Sequence, residues 1–378
     1  MSINNSKKVV VGMSGGVDSS VAAALLKAQG YEVTGAIMSI WEGTESAGES
    51  VRHGCYGPGE AEDIADARRV AEILDIPFHI VDLKDEYKSE VLDYFCLEYL
   101  LGRTPNPCLR CNNSLKFGAL ARRVEESGIE FDYFATGHYA RKEYNETVGR
   151  YLLRKAADLN KDQTYFIASL FQEQIARALF PVGDYTKAEV RKLAADFGLP
   201  VTEKVESQDF VAGGYSSLLP AALVGPILDR TGNVLGEHRG ISSYTIGQRR
   251  GLGIPTKTPV FVVDIDPARN AVIVGEKEDL YQDELTAAGL NWIAIGRLSE
   301  PIEVKARIRY RHQEAPAIVT PLSRDRVHVK FKEPQMSITP GQAVVFYQGD
   351  IVMGAGTIER NNLKVMNDLK VIKEVSHG

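Results

Sequence analysis

The chain has 378 residues, more than one ordinary hydrophobic core holds, so two or three domains are expected. Its 44% hydrophobic and 25% charged residues are typical of a globular protein, and no apolar run is long enough to span a membrane. The net charge of -6 argues against a surface that is basic throughout, although a nucleic-acid enzyme needs only a basic groove.

The N-terminal residues 1–12 do not have the layout of a signal peptide. Two lysines are followed at once by a short strand-like run, without a long apolar stretch or a cleavage site. We therefore expect a cytoplasmic protein, in which the four cysteines do not build a disulfide framework.

The first 200 residues predict alternating strands and helices. Strands are expected at residues 8–11, 32–40, 78–81 and 133–136, and helices at residues 18–29, 61–74, 85–101 and 115–127. Repeated strand–helix units with apolar strands indicate a parallel sheet that is covered on both faces.

After about residue 205 the pattern changes to short β-like runs separated by turn residues. These runs lie at residues 259–264, 271–274, 302–310, 318–321, 326–331, 343–347 and 351–358, a spacing typical of small barrels. Basic residues cluster in the same part of the chain, at positions 249, 250, 305, 307, 309 and 311. The last part is therefore predicted to be an all-β module with a short tail.

The sharpest motif is SGGVDSS at residues 14–20, between the first predicted strand and the first predicted helix. That position aims backbone N–H groups and the positive end of the helix at an anion. The two glycines let the backbone approach a phosphate closely, and Asp18 could help to hold a metal on pyrophosphate. The motif lacks the Gly-Lys-Ser/Thr ending of a Walker loop. A plain glycine-rich turn is the alternative.

SGGVDSS resembles the PP-loop of the ATP pyrophosphatases, which cleave ATP between the α and β phosphates and adenylate a carbonyl oxygen. From about residue 8 to 358 the chain resembles, more narrowly, the tRNA-specific 2-thiouridylases. The matching stretches are GMSGGVDS at 12–19, GRTPNP at 102–107, CN at 111–112, KFG at 116–118, ATGHYAR at 135–141, KDQTYF at 161–166, YTIGQRRGLG at 244–253, RYR at 309–311 and TPGQA at 339–343.

This resemblance implies an α/β fold. A parallel-sheet PP-loop domain at residues 1–204 is expected to precede a small connecting domain at 205–283, a tRNA-contacting β-barrel at 284–360 and a tail at 361–378. It also implies 2-thiolation of a uridine of tRNA, at the anticodon wobble position, with ATP and Mg2+. An unstacked base in a loop suits such chemistry. A partner protein or a persulfide relay would deliver the sulfur.

The resemblance also assigns candidate site residues. The residues expected to bind ATP are Gly12, Met13, Ser14, Gly15, Gly16, Val17, Asp18, Ser19, Met38 and Gly137. Those expected to meet the target base or other parts of tRNA are Asn106, Pro107, Cys108, Lys161, Asp162, Gln163, Arg309 and Tyr310, supported by His138 and Gln342. Taken alone, a methionine such as Met38 more often fills a core, and a histidine such as His138 more often has a structural role.

Cys111 aligns with the family's cysteine beside the activated base, but the family's second, later cysteine is missing. Residues 206–211 read ESQDFV, and no cysteine follows position 111. Instead, Cys108 and Cys111 form a C-x-x-C pair near a basic residue, which often contains one thiol of lowered pKa. The pair can act as catalytic thiols that carry a persulfide. It can also ligate an iron–sulfur cluster, with Asp209 or Cys55 as a third ligand, or zinc.

Cys96 is interpreted as a packing residue, and Cys55 is expected on an open loop. Two rival functions remain. One is another PP-loop enzyme, a ligase or amidotransferase such as an argininosuccinate synthase, which would need neither the C-x-x-C pair nor the barrel. The other is a non-catalytic RNA-binding protein, against which the intact SGGVDSS argues.

Overall fold

The structure is a computed structural model, and it describes residues 6–43, 54–202, 204, 209–211, 215, 218–219, 223–255 and 258–360. Within these ranges, no helix combines the length and the apolar character that crossing a membrane requires. The segment 206–208 and the tail from residue 361, to which the sequence assigned no role, lie outside the described residues.

A five-stranded parallel sheet forms the centre of the N-terminal domain. Its strands lie in the order Phe78–Asp82, Glu32–Ser39, Lys8–Gly12, Tyr133–Thr136 and Ala178–Leu179. Three consecutive valines, residues 9–11, form the middle of the central strand and are at most 1% exposed. Their alternating side chains enter two separate apolar cores, one on each face of the sheet. The predicted doubly covered parallel sheet is confirmed.

Helices connect these strands and cover both faces. They span Val17–Ala28, Glu60–Ile73, Lys84–Tyr87 continuing into Lys88–Leu92 and Asp93–Leu100, Thr164–Ile167, Gln172–Arg177 and Lys187–Asp196. The helices at residues 17–28, 60–73 and 84–100 match the predicted helices at 18–29, 61–74 and 85–101 to within one residue at each end.

The predicted helix at 115–127 is wrong at its start. The helical segment begins at Pro107 and runs through Pro107–Arg110, Cys111–Leu120 and Ala121–Glu126, with its middle part wound as a π-helix. Asn106 caps it, because its side-chain oxygen accepts a hydrogen bond from the Leu109 amide at 3.2 Å, and Pro107 takes the first helical position. We call residues 107–126 the thiol helix, since Cys108 and Cys111 lie in its first turns.

A small four-stranded sheet follows the N-terminal domain. Its strands are Val234–His238, Gly225–Leu228, Ala271–Gly275 and Phe261–Asp266, in that order across the sheet. Ile227, Tyr244, Val262 and Val272 form its own apolar core. This sheet is the predicted small connecting domain.

The C-terminal domain is a closed barrel of six antiparallel strands. In barrel order these are Tyr281–Trp292, Arg326–Met336, Ala315–Pro321, Ile302–Arg307, Ala343–Gln348 and Ile351–Ile358, and the first pairs with the last. The predicted β-barrel is confirmed. The predicted boundary at 283/284 falls inside the strand Tyr281–Trp292.

A hairpin of the N-terminal domain attaches to this barrel. The hairpin strands are Ala140–Asn145 and Arg150–Lys155, and the second pairs with the barrel through Arg154 opposite Ile351. The Arg154 guanidinium also donates two hydrogen bonds of 3.0 Å to the Asp350 carboxylate. The hairpin therefore fixes the barrel against the sheet whose loops carry the candidate site.

Candidate active site

The predicted phosphate loop, residues 12–19, runs from the end of the central strand into the first helix. Gly15 has a φ of 68°, and a Cβ there would lie 2.4 Å from the Asp63 carbonyl oxygen, so only glycine fits. The Ser14 amide donates to the Ser19 hydroxyl at 3.1 Å, and the Ser14 side chain is exposed. The loop thus presents a hydroxyl and the free N–H groups of a helix N-terminus, a geometry that binds anions.

Gly137, for which the resemblance implies a nucleotide contact, lies directly against this loop. A Cβ on Gly137 would lie 2.5 Å from the Ser19 amide nitrogen and 2.9 Å from the Asp18 Cβ. Any side chain here would press on the start of the helix. Gly137 therefore lets the strand Tyr133–Thr136 and its following loop approach the phosphate loop.

Asp18 is the only carboxylate in the phosphate loop, and its two oxygens are tightly held. Lys187 Nζ lies 2.7 and 2.9 Å from them, and the Tyr139 hydroxyl donates a third hydrogen bond at 2.8 Å. One carboxylate near a phosphate site fits Mg2+, which is commonly bound by one or two carboxylates together with substrate phosphates. The residues present therefore fit a magnesium–nucleotide complex.

Cys108 and Cys111 lie three residues apart in the thiol helix, so their side chains share one face of it. Burial is the main cause that raises the pKa of the Cys108 thiol to about 12 and that of Cys111 to about 11. The Lys116 ammonium acts in the opposite direction on both. Without substrate, both groups are therefore thiols at neutral pH.

The expected thiol of lowered pKa is thus wrong, and the position of Arg110 gives part of the reason. Its guanidinium donates to the Glu90 carboxylate at 2.5 Å and lies over the Tyr94 ring, 5.7 Å from its centroid. Arg110 is exposed, and its charge is paired with that of Glu90. It therefore does not stabilise a thiolate at Cys108 or Cys111. Burial acts against the lowering of a thiol pKa that a helix N-terminus usually gives.

Cys55 approaches the pair, since it is one of the causes that raise the pKa of both thiols. It lies on the short strand Gly54–Tyr56, not on the expected loop, and it is exposed. Gly54 pairs with Asp209, whose side chain lies outside the described residues. Among the side chains that are described, no three from His, Cys, Asp and Glu are placed to hold a metal ion. Because the Asp209 side chain, one of the two proposed third ligands, is not among them, the iron–sulfur cluster and zinc stay predictions.

A turn of the barrel holds the segment that precedes the thiol helix. Gln342 Nε2 donates to the Thr104 and Pro105 carbonyls at 3.0 and 2.9 Å. A Cβ on Gly341 would lie 2.9 Å from the Thr104 carbonyl oxygen, so the two backbones meet closely. The predicted base-contacting residues Asn106, Pro107 and Cys108 are thus positioned by the barrel as well as by the helix.

The predicted tRNA residues 161–163 form a loop whose members differ in exposure. Lys161 and Gln163 are half-buried, whereas the Asp162 carboxylate is 3% exposed and accepts from Thr164 Oγ1 at 2.7 Å and from the Ala156 amide at 3.1 Å. The Gln163 side-chain oxygen accepts from the Tyr139 amide at 2.9 Å. Asp162 is placed to hold the shape of the loop for its neighbours.

Arg309 and Tyr310 lie in the turn after the strand Ile302–Arg307, and not on a strand as predicted. Arg309 donates to the Met336 carbonyl at 3.2 Å, and the Tyr310 ring lies 4.3 Å from the Phe166 ring centre. Both are half-buried. Through Phe166 this turn meets the N-terminal domain close to residues 161–163.

The surroundings of His138 are those of a structural histidine, and the surroundings of Met38 are those of a methionine that fills a core. His138 is buried, its Nδ1 lies 2.8 Å from Thr136 Oγ1, and burial lowers its pKa well below the usual value, so the ring is neutral. Met38 is half-buried at the end of the strand Glu32–Ser39 and packs against an apolar core. Their roles toward tRNA and ATP stay predictions.

Sequence reasoning missed Lys187 and Tyr139, which hold Asp18. A signal for Lys187 was present, because Thr186 and Glu189 form a capping box at the start of the helix Lys187–Asp196. That motif predicts a helix N-terminus with Lys187 in its first turn. It does not predict that this helix lies beside a loop 169 residues away in the chain.

Three family models match the chain in order. Their descriptions are tRNA methyl transferase HUP domain for residues 7–212, tRNA methyl transferase PRC-barrel domain for 216–276 and aminomethyltransferase beta-barrel domain for 282–358. The tRNA-specific 2-thiouridylase MnmA of Moorella thermoacetica is 52% identical over 93% of this chain and 99% of its own length. The protein of the same name from Endomicrobium trichonymphae is 48% identical over 93% and 98%.

The solved structure of NMN synthetase from Francisella tularensis is a far more distant match. It is 16% identical, with a TM-score of 0.32, and the match covers 53% of this chain and 65% of that one. A likeness at this level supports no argument about fold or function.

Proposed function

The chain belongs to the tRNA-specific 2-thiouridylase family, and on this basis we propose that it transfers sulfur to C2 of a uridine in tRNA with consumption of ATP. The observation that carries the proposal is the 52% identity to a protein of that name across 99% of that protein's length. We also propose that this uridine is the one at the wobble position of the anticodon. The ligase and RNA-binding rivals have no comparable support.

The first chemical step is adenylation of the base. The uracil O2 attacks the α-phosphorus of ATP, the bond from that phosphorus to the bridging oxygen breaks, and the electron pair leaves on pyrophosphate. Ser14, the loop amides and the start of the first helix would hold the phosphates. Asp18 would hold Mg2+, which neutralises the leaving pyrophosphate. The product is a uridine activated at C2.

The second step is sulfur transfer within the C-x-x-C pair. The thiolate of Cys108 or Cys111 attacks the outer sulfur of a donor persulfide, the sulfur–sulfur bond of the donor breaks, and the donor thiol leaves. The outer sulfur of the cysteine persulfide so formed adds to C2 while AMP leaves. The thiolate of the other cysteine then attacks the inner sulfur and breaks the sulfur–sulfur bond. The outer sulfur stays on the base, and the two cysteines are left as a disulfide that an external thiol must reduce. The pair thereby replaces the later cysteine that the chain lacks.

The raised pKa of both thiols suits this scheme before substrate binds. A neutral thiol is a poor nucleophile, so the raised pKa slows unproductive oxidation of these half-buried cysteines. Sulfur would arrive already activated, since a persulfide is more acidic than a thiol. A sulfur-donor protein or a small persulfide is therefore a required partner in the proposal.

Mass spectrometry of tRNA nucleosides tests the proposed function directly. Cells that lack the gene should lose 2-thiouridine derivatives from their tRNA, and purified protein with ATP and a persulfide donor should restore them. If the nucleoside profile of the deletion strain equals that of its parent, and no other chain of the cell makes the same modification, the proposal is wrong.

Arg309→Ala should weaken tRNA binding and reduce its dependence on salt. Each phosphate contact that is lost lowers the slope of log K against log salt by about 1. Gel-shift titrations at several salt concentrations measure the slope. Arg326→Ala is the control, because Arg326 is an exposed barrel arginine that is already paired with Glu359 at 2.7 Å. Equal slopes for wild type and Arg309→Ala would make Arg309 an ordinary surface residue.

A further inference from the structure

Lys187 is fixed beside the phosphate loop by its own helix. It is the first residue of the helix Lys187–Asp196, whose capping box holds the N-terminus in place. Its amide donates to the Asp158 carboxylate at 3.1 Å, and its side chain is 12% exposed. The backbone therefore aims the side chain at the loop, and only the long alkyl stem is left to adjust.

The ammonium group of Lys187 faces both oxygens of Asp18, at 2.7 and 2.9 Å. Asp18 stands in the first turn of the helix that begins at Val17, where the free N–H groups attract an anion. A lone carboxylate at that position would repel the phosphates of an incoming nucleotide. Lys187 supplies the compensating charge, and the Tyr139 hydroxyl holds the carboxylate from another side at 2.8 Å.

We propose that Lys187 is a catalytic residue that binds the pyrophosphate part of ATP. The inference rests on the proposed function, because it requires ATP in this loop. Asp18 would hold the metal that accompanies the nucleotide, and the Lys187 ammonium would donate to an oxygen of the β-phosphate. The negative charge that develops there, as the bond from the α-phosphorus to the bridging oxygen breaks, is then stabilised by a fixed positive group.

Lysine suits this task because its ammonium is a compact charge on a flexible stem and can exchange one oxygen partner for another. A second partner lies within reach, since phosphates bound at the helix N-terminus would be neighbours of Asp18. In the ligand-free protein, Lys187 therefore keeps the loop close to neutral. In the complex, it contacts the leaving group.

The test compares Lys187→Met with a matched control, Lys155→Met. Like Lys187, Lys155 has a side chain that is 12% exposed and an ammonium 2.7 Å from one carboxylate, that of Glu314. Each ammonium also lies over a tyrosine ring, Tyr139 for Lys187 and Tyr347 for Lys155. Lys155 belongs to the hairpin–barrel contact and not to the loop. Loss of a charge-assisted hydrogen bond should weaken ATP binding by roughly 10- to 100-fold in Lys187→Met. Lys155→Met should bind ATP as the wild type does.

Two further measurements separate a phosphate contact from a purely structural ion pair. AMP lacks the pyrophosphate part, so its affinity should be unchanged in Lys187→Met. Raising Mg2+ should not restore ATP binding. If high Mg2+ restores it fully, Lys187 only neutralises Asp18, and the inference is overturned. If Lys187→Met does not fold, Lys187→Gln, which can still donate to Asp18, replaces it in the same comparison.

Pyrophosphate release by the wild type distinguishes the role of Lys187 from the proposed function. If the wild type releases no pyrophosphate with tRNA and ATP, the proposed function is wrong. If the wild type is active, and Lys187→Met has the ATP affinity and the rate of pyrophosphate release of Lys155→Met, then only the role of Lys187 is wrong.

Discussion

Asp18→Ala and Ser14→Ala are expected to abolish the tRNA-dependent release of pyrophosphate while tRNA binding stays nearly intact. Ser14 is the exposed hydroxyl of the loop, and Asp18 is its carboxylate, paired with Lys187. Loss of one preorganised group that stabilises transition-state charge costs on the order of 10²- to 10³-fold in kcat. Most of the predicted tRNA contacts lie outside the phosphate loop, at residues 106–108, 161–163, 309–310 and 342. A coupled pyrophosphate assay and a gel shift measure the two properties on the same samples.

Asp132→Ala is the matched control for the aspartate variant. Like Asp18, Asp132 accepts hydrogen bonds from a lysine, Lys7 at 3.1 Å, and from one further donor, the Lys8 amide at 2.8 Å. It lies at the opposite end of the central strand from the loop, so its removal should leave the rate of pyrophosphate release unchanged. If Asp18→Ala or Ser14→Ala forms AMP and pyrophosphate at the normal rate with tRNA present, the phosphate loop is assigned wrongly.

The architecture was predictable because the strong signals in this chain are local. Three consecutive valines before SGGVDSS predict a buried central strand that ends in a loop, and the structure has both. The short alternating runs after residue 300 predict barrel strands for the same reason: Ile351–Ile358 was placed to the residue. Each of these signals depends on residues within one element.

The start of the thiol helix was missed, although a local signal existed. Asn106 followed by Pro107 is a capping residue before a first-turn proline, and it predicts a helix that begins where the structure has it. The wide π-helical middle, Cys111–Leu120, disturbs the regular apolar spacing on which the prediction relied. The two cysteines therefore lay before the predicted helix and are found on one face of the observed one.

Contacts between distant segments could not be predicted from the residues that make them. The attachment of Arg150–Lys155 to the barrel joins strands about 200 positions apart, and no local pattern specifies the partner of an edge strand. The burial of Asp162 depends on Thr164 and on Arg307, whose guanidinium lies 3.7 Å from its carboxylate. The thiol pKa values depend on burial in the same way.

Cys111→Ser is expected to end thiolation completely while the adenylation step continues. A serine hydroxyl cannot carry a persulfide, and loss of an essential nucleophile reduces turnover by up to about 10⁶-fold. Thiolated nucleosides should fall below detection, whereas tRNA-dependent release of pyrophosphate should persist. Cys96→Ser is the control, since Cys96 is a half-buried cysteine whose thiol donates to the Leu218 carbonyl at 3.2 Å and which takes no part in the pair. Normal thiolation by Cys111→Ser would remove Cys111 from the mechanism.

Cys55→Ser and a metal assay then decide which sulfur chemistry the pair performs. The thiol scheme requires only Cys108 and Cys111, so Cys55→Ser should retain thiolation, and protein purified without oxygen should contain no stoichiometric iron or labile sulfide. A cluster would need a third ligand, and Cys55 is the cysteine outside the pair that approaches both thiols. The absent later cysteine favours a cluster, because the usual relay partner is missing. The spacing favours the thiols, because only Cys108 and Cys111 are close together in sequence and a cluster needs a third ligand. Stoichiometric iron, lost together with activity in Cys55→Ser, would show that Cys108 and Cys111 are cluster ligands and that the disulfide-forming step does not occur.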